Sequence, residues 1–284
     1  MGSQTMQSVE KMVGIFFGLS LKMSKFARLN TIKQNYIMLT LLFYLFTLLQ
    51  VSFWFVVSII VLIITYPFDK SRRWVHECSR CICYLLYDLF PFAKRTIEGV
   101  EYIDKKKPYV MVINHNSGFD IFTAYKIPLN FRWVSKREVF WVPFMGPLLS
   151  IHGDIPIERG NPKQAMAKVS RLGKLWLKRG ATVAIFPEGT RSKDGQMHNF
   201  KLGAFSLAKE AGVEILPVVM TGTNEAFKKG WLVNWRHRVA IRVLRPVSAE
   251  EVQATGTKEL SQQVHDRMVE ALADLRERVK NEKK

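Results

Sequence analysis

The stretch Asn114-His115-Asn116-Ser117-Gly118-Phe119-Asp120 sets a histidine and an aspartate four intervening residues apart. Before it, Pro108–Ile113 is a short apolar run that reads as a buried strand; after it, Phe119–Tyr125 reads as one or two helical turns. A loop that folds back there brings Asp120 to one ring nitrogen of His115. The contact fixes the imidazole tautomer and leaves the other nitrogen free to take a proton. The same spacing also describes a loop histidine beside a helix N-cap aspartate, so the pair acquires meaning only with partners elsewhere in the chain.

Three further stretches stand at expected strand ends. They are Gly153-Asp154-Ile155-Pro156-Ile157-Glu158-Arg159, Phe186-Pro187-Glu188-Gly189-Thr190-Arg191-Ser192 and Leu216-Pro217-Val218-Val219-Met220-Thr221-Gly222. The elements that must position them form an α/β pattern. Apolar runs at Pro108–Ile113, Phe131–Ser135, Gly153–Ile157, Thr182–Phe186, Glu214–Met220 and Val239–Leu244 alternate with helices at Pro162–Arg179 and Ala204–Ala211. Such alternation implies a mostly parallel central sheet with helices on both faces, with chemistry at the carboxyl ends of the strands. A last helix, Thr257–Val279, places Leu260, Val264, Met268, Leu272 and Leu275 on one packing stripe.

Of the 284 residues, 48% are hydrophobic, enough for a packed core, while the formal net charge of +18 calls for an anionic partner. No recognised nucleic-acid module appears. An uncharged stretch from Gln34 to Phe68 points to a membrane instead. As one helix it would run about 50 Å, against a hydrocarbon core of about 30 Å, and Gln50 and Ser52 are the only hint of a break. Basic residues flank both ends (Lys22, Lys25, Arg28 and Lys33; Lys70, Arg72 and Arg73). A re-entrant hairpin with both ends on the cytoplasmic side accounts for that symmetry better than a single span. The expected organisation is a basic interfacial segment over residues 1–33, a membrane-embedded segment over 34–68, an amphipathic connector helix over 69–94 and an α/β domain over 95–284. In the connector, Trp74, Cys78, Cys81 and Leu85 share one face. Cys78, Cys81 and Cys83 with His76 lack the second ligand pair that a tetrahedral zinc site needs, so no metal is expected. Clustered cysteines rather than a spread framework fit a reducing compartment.

Taken together and in this order, the four stretches resemble the motifs of the glycerolipid acyltransferases, in particular the 1-acylglycerol-3-phosphate (lysophosphatidic acid) acyltransferases. Asn114, His115, Ser117 and Asp120 match the family's Asn-His-x-Ser-x-x-Asp, and residues 186–192 match Phe-Pro-Glu-Gly-Thr-Arg-Ser outright. Pro156 departs from the second motif, where an aromatic residue is usual, and the fourth is the loosest match. The resemblance covers roughly Glu98 to Gly222.

It implies transfer of a fatty acyl chain from acyl-CoA or acyl-carrier protein, as co-substrate, to the sn-2 hydroxyl of lysophosphatidic acid. His115 would be the base, with Asp120 behind it. Without a Gly-x-Ser-x-Gly elbow, direct attack of the lipid hydroxyl is favoured over a covalent acyl-enzyme. Arg159 and Arg191 suit bidentate phosphate contacts, although each also has a local carboxylate, Glu158 or Asp194, for a plain salt bridge. Glu188 would accept from a glycerol hydroxyl or fix an arginine, Gly189 would let the backbone approach the ligand, and Thr190 completes the motif. Lys136 resembles a basic position that the family uses near the substrate. The expected partners are the lipid bilayer, lysophosphatidic acid and the thioester donor. The alternatives are the same chemistry on another lysolipid, such as a lysophospholipid or lyso-ornithine-lipid, or a non-catalytic binder of anionic lipid, which would have no need of the His115/Asp120 pair.

Overall fold

The structure, a computed structural model, describes residues 2–89, 93–158, 160–192, 194–228, 231–235 and 237–282, with residues 2–33 described by backbone alone. The side chains of the interfacial segment expected over residues 1–33, Lys22, Lys25 and Arg28 among them, therefore lie outside the described residues.

The chain begins with α1 (Gly2–Thr65), whose stretch Gln34–Thr65 has a mean hydropathy of 2.5 and is long and apolar enough to cross a membrane. It is continuous, so the hairpin expected inside 34–68 does not form. Ser52 Oγ donates to the Leu48 carbonyl 2.9 Å away, within the helix's own turn, and breaks nothing. Gln50 is buried. One face of α1, with Phe43, Val51, Trp54 and Phe55, packs into a cluster with Ile82, Leu86, Phe119 and Leu148 of the following domain. The other face leaves Leu45, Leu48, Phe53, Val56, Ile60 and Ile63 exposed.

After a turn, α2 (Arg73–Tyr84) buries Val75, His76, Cys78, Ser79, Ile82 and Cys83. The buried face is thus rotated from the expected Trp74/Cys78/Cys81/Leu85 stripe, and Trp74 is 58% exposed. The three cysteines are free thiols, two of them buried.

The α/β domain follows as β1 (Ala93–Glu98), β2 (Val110–Ile113), α3 (Asp120–Ala124), β3 (Phe131–Lys136), α4 (Met145–His152), β4 (Ile155–Ile157), α5 (Pro162–Lys178), β5 (Thr182–Ile185), α6 (Gly203–Ala211) and β6 (Ile215–Thr221). A small hairpin, β7 (Phe227–Lys228) and β8 (Leu232–Val233), then precedes β9 (His237–Val243), α7 (Ala249–Ala254) and α8 (Thr257–Asn281). The main sheet has the order β1-β9-β6-β2-β5-β3-β4. Five strands from β6 to β4 are parallel; β9 runs antiparallel to β6, and β1 runs parallel to β9. Alternation within β2 sorts the two faces. Val110 and Val112 enter a core with Phe205 of α6 and Met268 of α8, while Met111 and Ile113 pack with Cys83 of α2 and Ala124 of α3. Strand β1 lies at a sheet edge, where Lys94 and Arg95 mask it in an apolar-run reading. Local caps set two helix starts. Asn161 accepts from the Gln164 amide at 3.1 Å ahead of Pro162, and Ser248 accepts from the Glu251 amide at 3.1 Å.

A buried polar joint ties α2 to the sheet. His76 Nδ1 lies 3.0 Å from His152 Nε2, and Arg132 Nη1 lies 3.2 Å from the same atom. The other nitrogen of His152 lies 2.8 Å from Asp154 Oδ1, which also accepts from the Trp133 amide at 2.8 Å. Burial pushes the Asp154 carboxyl up to about 7 and holds both histidines well below the usual imidazole value, with the Arg132 charge adding to the depression. For each histidine the folded state binds its proton less tightly than the unfolded one, so its share of stability is present above about 6.5 and is lost as pH falls through that value. His76→Phe removes one such group and one hydrogen bond. It should cost about 1 kcal/mol at pH 8, and the gap to wild type should narrow as pH falls below about 6.5, read as thermal midpoints across pH. A gap that widens on acidification would contradict this account.

Candidate active site

Four adjacent strands carry the residues in question at or just past their carboxyl ends. His115 follows β2, residues 188–191 follow β5, Lys136 closes β3, and the segment after β4 leads to Arg159. Arg159 itself lies outside the described residues.

The loop after β2 is built around one carboxylate oxygen. Asp120 Oδ2 lies 2.8 Å from His115 Nδ1 and accepts from the Asn116 amide at 2.7 Å and the Ser117 amide at 2.8 Å. An oxygen that already accepts two N–H groups is an acceptor, so Nδ1 carries the imidazole proton and Nε2 presents a lone pair. The ring plane is fixed by stacking. Phe186 lies 3.9 Å from the His115 centroid at 13°, and Trp133 backs Phe186 at 4.9 Å and 16°. Asn114 behaves as an extra strand residue. Its side chain accepts from the Met220 amide at 2.7 Å and donates to the Met220 carbonyl at 3.0 Å, which locks the loop to β6.

His115 opens on a cavity of about 750 Å³ whose wall is largely apolar. Val51 of α1, Ile82 and Cys83 of α2 and Met166 and Val169 of α5 line it, with a basic side formed by Lys136, Arg191 and Lys201. Gly189 and Thr190 border the same space. Gly189 takes φ +73°, and the Lys201 side chain occupies the place where a Cβ would stand, 2.7 Å from it. Arg191 passes over Gly118, with Nη2 3.9 Å from that residue's would-be Cβ. Among the described residues Arg191 pairs with no carboxylate. Asp194 is held instead by Ser192 Oγ and the Gln196 amide, and Glu158 pairs with Arg137. Lys136 sits 2.9 Å from Glu138 at the exposed rim.

Glu188 differs from expectation. One oxygen accepts from the His115 amide at 2.8 Å and the other from the His198 amide at 3.0 Å, so the carboxylate braces two loops instead of an arginine. Burial raises its pKa against the pull of those two amides. Lys201 and the Phe186–Trp133 stack escape a sequence reading. Lys201 lies outside all four motifs, in Phe200-Lys201-Leu202-Gly203 before α6, and a basic residue ahead of a glycine-started helix was the one available signal.

A family profile for acyltransferases matches residues 94–221, from β1 to the end of β6. The 1-acyl-sn-glycerol-3-phosphate acyltransferase LPAT1, chloroplastic, of Arabidopsis thaliana is 37% identical over 61% of this chain and 49% of its own length. That of Pseudomonas aeruginosa is 31% identical over 83% of this chain and 91% of its own. The chain belongs to the 1-acyl-sn-glycerol-3-phosphate acyltransferase family. It spans about half the length of the Arabidopsis thaliana and Brassica napus relatives it matches. The fold agrees with the crystal structure of the 1-acyl-sn-glycerophosphate (LPA) acyltransferase PlsC from Thermotoga maritima. The TM-score is 0.71 at 24% identity, over 86% of this chain and 97% of that one. The segment shared with the acyltransferase profile contains His115, Asp120, Lys136 and Arg191 together. The geometry yields one stability test. Asn114→Ala leaves the buried Met220 amide without its partner and should cost about 1–3 kcal/mol in a denaturant titration; an unchanged midpoint would show that Asn114 is not the brace between the loop and β6.

Proposed function

We propose that this protein transfers a fatty acyl chain from an acyl thioester, acyl-CoA or acyl-carrier protein, to the sn-2 hydroxyl of 1-acyl-glycerol-3-phosphate, giving phosphatidic acid. The observation that carries this reading is the bare Nε2 of His115, oriented through Asp120, at the wall of a cavity that is apolar along its length and basic on one side. Apolar walls suit acyl chains; the basic side of Lys136, Arg191 and Lys201 suits the phosphate of the acceptor. The names of the relatives point to the same acceptor.

In this mechanism His115 Nε2 takes the proton of the sn-2 hydroxyl as its oxygen attacks the thioester carbonyl. The C–O bond forms, the tetrahedral centre collapses, the C–S bond breaks, and the leaving thiolate takes the proton back from the imidazolium. Asp120 stabilises that imidazolium while it exists. Arg191, together with Arg159, would grip the phosphate as planar forks.

The reaction joins two lipidic substrates, and α1 supplies the means to meet them in a bilayer. Its packed face runs along the domain from Phe43 to Trp54 while its outer face is exposed and apolar. A helix bound lengthwise to an α/β domain cannot cross the hydrocarbon core without drawing the domain in with it. The reading we favour is therefore α1 immersed in one leaflet, with the catalytic domain on the cytoplasmic face.

His115→Ala should lower acyl transfer by about 10²–10⁴-fold, the usual worth of a positioned general base, and Asp120→Asn should reduce it severely, as measured with lysophosphatidic acid and labelled acyl-CoA. Near wild-type turnover by a folded His115→Ala variant would defeat the mechanism. Arg191→Lys keeps the charge and loses the fork, so the KM for lysophosphatidic acid should rise while turnover of monoacylglycerol, which has no phosphate, stays level. Equal losses on both acceptors would assign Arg191 a structural role.

A further inference from the structure

At the amino-terminal end of β3, opposite the strand ends that carry His115 and Lys136, and where α5 runs out, three guanidinium groups converge on one indole. Arg72, Arg132 and Arg179 lie 5.3, 5.0 and 5.2 Å from the Trp176 ring centre. Arg132 is wholly buried and donates to the carbonyls of Ser71 and Arg72, the latter at 3.0 Å, so it clamps the turn between α1 and α2. Arg72 holds φ +50°, a left-handed backbone unusual for a side-chain-bearing residue, and donates to the carbonyls of Ser150 and Ile151 at 3.3 and 2.8 Å. The strained turn is thus over-determined by its hydrogen bonds, and the charges it presents are held in place.

The charges of Asp154 and Asp69 act on Arg132, whereas Arg72 donates to carbonyls and pairs with no carboxylate among the described residues. Lys70, Arg73 and Lys178 stand beside Arg72 and Arg179 in sequence, and among the described residues none of Lys70, Arg73, Lys178 and Arg179 pairs with a carboxylate. Asp69 is occupied by Ser71 Oγ and the Trp74 amide. Burial and then the neighbouring Arg179 charge push the Arg72 guanidinium below its ordinary value. Around this cluster Tyr66, Phe68 and Trp74 are 64%, 69% and 58% exposed, and they continue the exposed apolar face of α1 through Ile63 and Ile64. Aromatic rings and fixed cations at the end of an apolar helix are the composition found at headgroup depth.

We propose that Arg72 and Arg179, mounted on Trp176 and flanked by Lys70, Arg73 and Lys178, form a docking surface for the phosphates of anionic membrane lipids, separate from the catalytic cavity. Some twenty residues before Thr65, α1 is also held to the domain by Tyr44, whose hydroxyl donates to the Trp231 carbonyl at 2.8 Å. The docking surface fixes the Thr65 end against the headgroups, so α1 lies along the bilayer instead of pivoting about one attachment. This inference rests on the membrane reading of α1 given above.

The test uses the purified full chain with sealed vesicles, either phosphatidylcholine alone or doped with phosphatidylglycerol, and measures partitioning by co-sedimentation. Wild type should bind neutral vesicles through α1 and doped vesicles more tightly, with the added affinity lost at high salt. Arg179→Gln should weaken binding to doped vesicles about fivefold, the equivalent of about 1 kcal/mol for one basic group at an anionic surface, and leave binding to neutral vesicles unchanged. Arg179→Gln/Lys178→Gln should deepen the loss. Lys258→Gln, on α8 away from Trp176, should change neither. Turnover of lysophosphatidic acid in neutral detergent micelles should remain at the wild-type level in all three variants. Unaltered binding of the double variant to doped vesicles would overturn the proposal, as would an equal loss from Lys258→Gln, which would show diffuse charge and no site. Failure of wild type to bind either vesicle would instead remove the membrane reading on which the proposal stands.

Discussion

One carboxylate oxygen organises the active site. Asp120 Oδ2 gathers the imidazole N–H of His115 and two consecutive backbone amides, so a single buried atom fixes both the ring tautomer and the turn that carries the ring. A charge-assisted acceptor with three donors holds more firmly than a neutral one would. The remaining constraints act on the same few residues. Glu188 seizes the His115 amide, Ser192 donates its amide to the His115 carbonyl at 2.8 Å, and Phe186 covers the ring face. The His115 imidazole is immobilised from its backbone, its Nδ1 and its π face. Only the Nε2 edge is left facing the cavity, and this preorganisation is what general-base chemistry requires.

That arrangement explains a division of labour between two kinds of carboxylate. Both Glu188 oxygens and Asp120 Oδ2 accept from loop amides beside His115, and Asp120 Oδ1 is buried. Lys136, Arg191 and Lys201 line the same cavity, with Arg191 passing over Gly118 of the loop that carries His115. Under the function proposed above, this leaves Arg191 without a carboxylate to compete with the acceptor's phosphate for its fork.

Much of this was legible in the sequence. The parallel strands from β2 to β6, the stripe on α8, the His115–Asp120 contact and the convergence of 188–191 with Lys136 all follow from local patterns and motif order. The misses share a cause: each depends on contacts between elements distant in sequence. The Glu188 carboxylate turns to the amides of His115 and His198, a choice fixed only once β2 and β5 lie side by side. Lys201 reaches the cavity because Gly189 leaves room for it. Strand β1 is a charged edge that pairs with β9, far along the chain. The face of α2 turned inward is decided by His152 and Arg132, invisible to a periodicity count.

The apolar helix shows the largest gap between composition and role. By hydropathy Gln34–Thr65 is long and apolar enough to cross a membrane, yet Val51 lines the cavity and Phe43 enters a core cluster with Phe119, the residue immediately before Asp120. The cavity wall is thus shared between a catalytic sheet and a lipid-facing helix, with Ile82 and Cys83 of α2 completing it. Stripping α1 away would expose Phe119, Leu148 and Ile82 together and open the cavity to water, which removes apolar burial and weakens every charge interaction inside at once. Anchor and active site are one packing unit. Under the function proposed above, a lipidic substrate would meet His115 in a cavity whose wall α1 itself completes through Val51.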